Sequence, residues 1–132
     1  MTFWMTGIAA IVLTSMAAAA EPITPLAVSP ERAIFKKAVW NQPLVLKSAD
    51  EAAAHFGKAA MDTIRKEVDF KSQVLLVFAW QGSGQDKLDY AIAESFPEMI
   101  RFSITRGLTR DLRQHAKVFV LRSDVRWSTN DK

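Results

Sequence analysis

The chain has 132 residues, 49% of them hydrophobic, a formal net charge of +3 and no cysteine. The missing thiols exclude disulfide scaffolds, cysteine nucleophiles, thiolate metal sites and lipid attachment at a lipobox. The length suits one compact domain with a single hydrophobic core.

The amino terminus predicts export. Residues 7–20 (GIAAIVLTSMAAAA) carry no charge and end in small side chains. Ala18 and Ala20 stand where a signal peptidase requires small residues, so residues 1–20 are expected to be a signal peptide cut after Ala20 and the product to be periplasmic or secreted. Residues 1–6 hold no Lys or Arg, which leaves a retained membrane anchor as the competing reading; the segment from Thr2 to Ala20 is marginal in length for crossing about 30 Å of hydrocarbon.

Residues 21–32, with Pro22, Pro25 and Pro30 and no periodicity, predict an extended, poorly ordered linker. A single domain is then expected over 33–128, with a tail at 129–132. The segment 33–40 suits a helix start after Ser29-Pro30-Glu31 or a strand running towards Pro43. Residues 44–47 (LVLK) form a short apolar run. Ser48 and Glu51 have capping-box spacing, so a helix should begin there. Ala52, Phe56, Ala60, Ile64 and Val68 then recur every fourth residue, with Gly57 as a break between two shorter helices. His55 lies beside this stripe and reads as a partly buried or surface helix histidine, since no second ligand follows at i+4.

Strands dominate after residue 73. Residues 74–80 (VLLVFAW) are apolar on both faces and predict a central strand covered on each side. Residues 87–94 and 99–105 alternate around the turn Ser95-Phe96-Pro97-Glu98 and predict a hairpin. Residues 117–122 supply another strand, and Trp127 is expected to continue it or to fold back onto the core. The fold expected is α+β, a mainly antiparallel sheet of four or five strands with helix packed on one face.

Charge is uneven. Residues 21–100 hold nine Lys/Arg against eleven Asp/Glu, whereas 101–132 hold eight against three, a local excess of five positive charges. Outside the cytoplasm such a bias points to an anionic envelope polymer, phospholipid head groups or an acidic protein sooner than to nucleic acid. Basic residues on solvent faces and edge strands account for it without any partner.

Two segments hold the candidate chemistry. Residues 81–86 (QGSGQD) follow the central strand with paired glycines that suit a structural hairpin turn and also permit close approach of a ligand or another backbone. They lack the Lys-Ser/Thr of a phosphate loop and the elbow of a G-x-S-x-G nucleophile. Residues 106–115 (RGLTRDLRQH) mix arginines, an acid and a histidine. If the two segments meet, Arg110 or Arg113 is expected to pair with Asp86 and Thr109 to bond the neighbouring backbone; the same guanidinium groups suit an anion clamp. The candidate binding residues are Gln81, Ser83, Gln85, Asp86, Arg110, Asp111, Arg113 and His115. No catalytic residue, cofactor or metal is expected. Ser83, His115 and Asp111 supply a serine-hydrolase set by residue type alone, which is recognised only by arrangement; the two histidines, sixty residues apart, do not make a metal-ligand spacing.

The run VDFKSQ into VLLVFAW, then QGSGQD, SFPE, TRDLR and VLRSDVRW, resembles a group of small exported proteins of planctomycete-type bacteria, over roughly residues 38–128. The order of strand, helix, VDF lead, apolar strand, glycine loop and hairpin is more distantly similar to the carboxy-terminal domain of the protease-complex subunit PrcB. That resemblance implies a non-catalytic binding or stabilising role and carries no catalytic residue over. The expectation is therefore a non-enzymatic extracytoplasmic binding or protease-accessory-like domain, with a small serine-type hydrolase and a structural envelope protein as alternatives.

Overall fold

The computed structural model describes residues 21–130; the expected signal peptide lies outside them. Seven strands, a 3-10 turn at Arg32–Lys36 and two helices follow in chain order: β1 (Ile23–Leu26), β2 (Leu44–Leu46), α1 (Ala49–Ala53), α2 (Lys58–Glu67), β3 (Gln73–Gly82), β4 (Lys87–Ala93), β5 (Met99–Thr105), β6 (Arg113–Arg122) and β7 (Arg126–Asn130). They make the expected α+β fold. A four-stranded antiparallel sheet, ordered β1-β6-β3-β2, has the helices on one face. Its other face is covered by a second sheet, ordered β4-β5-β7, in which β5 and β7 run parallel.

Alternation along β3 explains the three layers. Leu75, Val77 and Ala79 point to the helices and pack with Leu46, Phe56, Met61 and Ile64. Leu76, Phe78 and Trp80 point the other way, onto Ile100, Phe102 and Ile104 of β5. A strand buried on both faces needs two covers. The two helices, 5 and 10 residues long, supply only one, so the hairpin leaves the first sheet to supply the other. Phe78, Phe102 and Phe119 meet between the sheets, with ring centroids 4.8 to 6.1 Å apart, a spacing at which tilted and edge-to-face pairs add to area burial.

The helical break falls where glycine predicts it. Ser48 Oγ accepts the Glu51 N–H at 3.1 Å and starts α1. Glu51 returns its carboxylate to the N–H of Lys47, at 3.2 Å, instead of to that of Ser48. Gly57 caps α2. His55 is half-buried after α1, and its carbonyl accepts the Glu31 N–H at 2.8 Å.

Three boundaries differ from expectation. Ile23–Leu26 form an edge strand on β6, because Ile23 is buried between the sheets and Pro25, which lacks an N–H, is tolerated at an edge. β6 begins at Arg113 and not near 117, since its polar first half pairs residue for residue with Phe78–Gly82. Residues 126–130, expected in part as a tail, form β7, and Trp127 packs half-buried on the inter-sheet core.

Candidate binding site

Both candidate segments lie at one end of the sandwich, where β3 leads through 83–86 into β4, and β5 through 106–112 into β6. Gln81 and Gly82 belong to β3, and Arg113 and His115 to β6, so they sit on a paired, rigid frame. The register places Gln81 opposite Gln114 and Gly82 opposite Arg113.

Asp86 is the buried centre. It is 8% exposed. Its Oδ2 accepts the indole Nε1–H of Trp80 at 3.0 Å, and its Oδ1 accepts the backbone N–H of Gly107 at 2.7 Å. Sequence reasoning expected an arginine there, but two neutral donors hold the carboxylate. Arg113 instead pairs with Asp111, Nε to Oδ2 at 3.0 Å. Arg106 lies over the ring of Trp40, 3.7 Å from its centroid. Trp40 in turn meets Trp80 edge-on at 6.3 Å. Arg110 makes no hydrogen bond or ion pair among the described residues.

A second set of bonds joins the loops further out. Asp111 Oδ1 accepts the Gly84 N–H at 3.1 Å, Gln85 Oε1 accepts the Leu108 N–H at 3.3 Å, and the hydroxyls of Ser83 and Thr109 bond each other. The Gln85 N–H donates to Ser83 Oγ at 3.1 Å. The Thr109 hydroxyl, the Gly84 N–H and the Arg113 guanidinium together hold the Asp111 carboxyl well below the ordinary carboxylate range. Thr109 thus bonds a side chain of the facing loop, where a backbone partner was expected.

Glycine is required where the loops touch. A Cβ on Gly107 would meet the Cβ of Gln85 and stand 2.7 Å from both its backbone carbon and Ser83 Oγ. On Gly84 it would stand 2.5 Å from Asp111 Oδ2.

The arrangement is not a hydrolytic relay. His115 Nε2 is 2.7 Å from the carbonyl oxygen of Ser83. A carbonyl only accepts, so Nε2 carries the proton and has no lone pair for the Ser83 hydroxyl. The Ser83 hydroxyl is engaged with the hydroxyl of Thr109 on the facing loop. Asp111 is turned to Gly84 and Arg113, and the His115 ring stacks on Trp80 with centroids 4.8 Å apart. Each of the three residues is used to hold the loops.

Of what the loops leave outward, the sequence points to Arg110 and misses the two leucines beside it. Gly107, Thr109 and Asp111 face the first loop, whereas Leu108 is 93% and Leu112 74% exposed, with the exposed Arg110 between them. The signal was present as apolar residues at 108 and 112 in an otherwise polar loop; only the geometry separates them from the anchoring set. Among the described residues no group of three or more His, Asp or Glu side chains is placed to hold a metal ion. Comparison with protein-family models, with curated proteins and with solved structures finds no match.

Proposed function

We propose that this is an exported, non-enzymatic binding domain that docks an acidic extracytoplasmic protein on the row Leu108, Arg110, Leu112. One observation carries the reading: two exposed leucines, Leu108 at 93% and Leu112 at 74%, flank Thr109 and Asp111, which are tied to the facing loop. Burying a leucine side chain is worth about 1.5–3 kcal/mol. A loop organised in advance binds without a large ordering cost. Arg110, with no partner of its own, adds a cation between the two apolar anchors, in the segment of the chain richest in positive charge.

The leucines favour a protein over an anionic envelope polymer, which offers a matching charge and no apolar pocket. Of the two alternatives, a structural role accounts for the bonds between the loops and leaves the exposed leucines unused; a hydrolase is disfavoured by the protonated Nε2 of His115.

A photo-reactive side chain at Leu112, introduced in producing cells, tests the proposal. A single discrete protein adduct mapping to an Asp/Glu-rich peptide, and lost with Arg110→Glu, is the expected result. Normal export without any protein adduct, or adducts to glycan or lipid alone, would contradict it.

A further inference from the structure

β4 is bonded to β5 along one side and, among the described residues, to no strand along the other. An open edge of seven residues presents rows of backbone donors and acceptors to which another strand can pair. Its side chains are left short of cover as well. Tyr90 is 36% and Ile92 42% exposed, although both lie on the face that turns towards the first sheet, where Tyr90 touches Phe119 with centroids 5.5 Å apart.

This edge is complementary to itself. A two-fold axis through Tyr90, perpendicular to the sheet, sets two β4 strands antiparallel and keeps every side chain on its own face. On the inner face Leu88 then lies opposite Ile92 of the second copy, and Tyr90 opposite Tyr90. On the outer face Ala91 lies opposite Asp89 of the second copy. Within the chain, Ala91 is also the register partner of Arg101 on β5. The row therefore reads Arg101, Ala91, Asp89 of the second copy, the outer two about 10 Å apart at the backbone. A guanidinium reaches a carboxylate across a methyl group at that separation. Neither Arg101 nor Asp89 is in an ion pair within the chain among the described residues.

We propose that two copies of this protein join edge to edge through β4, making one continuous six-stranded sheet in which Arg101 of each copy pairs with Asp89 of the other. A seven-residue edge with the side chains beside it buries less than a standard stable interface, so the dimer is a reversible one with a dissociation constant of about 1–100 μM. It does not involve the Leu108 row.

Sedimentation velocity tests this, on protein produced from the full 132-residue sequence and purified as the cell leaves it. The wild type should pass from monomer to dimer with rising concentration. Tyr90→Lys, which sets two ammonium groups directly opposite each other, should weaken the dimer by more than about tenfold. Asp89→Arg alone and Arg101→Asp alone should each weaken it by about tenfold, and an equimolar mixture of those two variants should dimerise again, because each copy then supplies the charge the other needs. Circular dichroism establishes that the variants are folded. A wild type that stays monomeric to about 1 mM, some tenfold above the weakest constant expected, would overturn the proposal. A dimer indifferent to Tyr90→Lys, or a mixture that fails to recover, would do so equally.

Discussion

The carboxylate of Asp86 receives the indole N–H of Trp80 at 3.0 Å, and through its other oxygen it also fixes Gly107, so a single buried side chain ties the central strand to the loop that carries the candidate site. Removing it leaves two donors without an acceptor. Asp86→Ala should cost about 2–4 kcal/mol in urea denaturation, from the desolvation of those two groups. Asp86→Asn, which keeps one acceptor oxygen, should lose less. Trp80 fluorescence should report the change in both.

The glycines separate contact from conformation. Gly107→Ala pushes a methyl group into Gln85 and Ser83 and should destabilise by about 1–3 kcal/mol, as overpacking does. Gly57→Ala meets nothing within 4 Å and changes only a helix N-cap, where glycine is better than alanine, so its cost should stay at or below about 1 kcal/mol. Thermal unfolding of the two variants makes the comparison.

Acid should loosen the outer bonds between the loops. The Asp111 carboxyl is lowered by the Thr109 hydroxyl, the Gly84 N–H and Arg113, so the folded chain binds its proton less readily than the unfolded chain does. That contribution is complete above the unfolded value of about 3.9 and is lost as the pH falls through the lower folded value. Glu98, lowered by a backbone hydrogen bond and by Arg122, acts with the same sign at the opposite end of the sandwich. Wild type should therefore exceed Asp111→Asn in stability at pH 6, and the gap should narrow as the pH falls from about 4 towards 2. Urea titrations of both proteins at each pH measure it.

Most of the frame is legible in the sequence, because it rests on local chemistry. Ser48 and Glu51 announce a helix start, Gly57 its interruption, and the two-sided apolar run of β3 a strand covered on both faces. The division into two sheets is not written in any one segment. Ile100, Phe102 and Ile104 alternate identically whether their strand extends the first sheet or lies across it, and only the shortage of helix to cover the second face of β3 argues for the latter. β1 escapes notice because proline masks a strand that needs few donors at an edge, and the first half of β6 because Gln114 and His115 have no strand signature of their own. In the site, the meeting of the two loops is foreseeable from the hairpin order, but the pairing is not. By charge alone Asp86 suits an arginine, whereas burial beside Trp80 selects neutral donors.

Binding and stability should separate at the exposed row. Leu108→Ser with Leu112→Ser removes side chains that are largely exposed in the folded chain, so stability should change by no more than about 1 kcal/mol. The double variant should lose capture of the partner by a photo-reactive group placed at the exposed Gln114, which leaves Arg110 in place. Denaturation and cross-linking on the same preparation read the two effects apart.

Amide hydrogen exchange at Gly84, Gln85, Gly107 and Leu108 reads whether the two loops hold each other. These four N–H groups donate to Asp111, Ser83, Asp86 and Gln85 across and within the two loops. If the polar residues of the loops are committed to one another and the Leu108, Arg110, Leu112 row is what they hold out, all four should exchange at least about a hundredfold more slowly than an unstructured chain, while the amide of Arg110 exchanges freely. Exchange of the four at unstructured rates would mean that the loops do not hold each other, and the account of the site would fail.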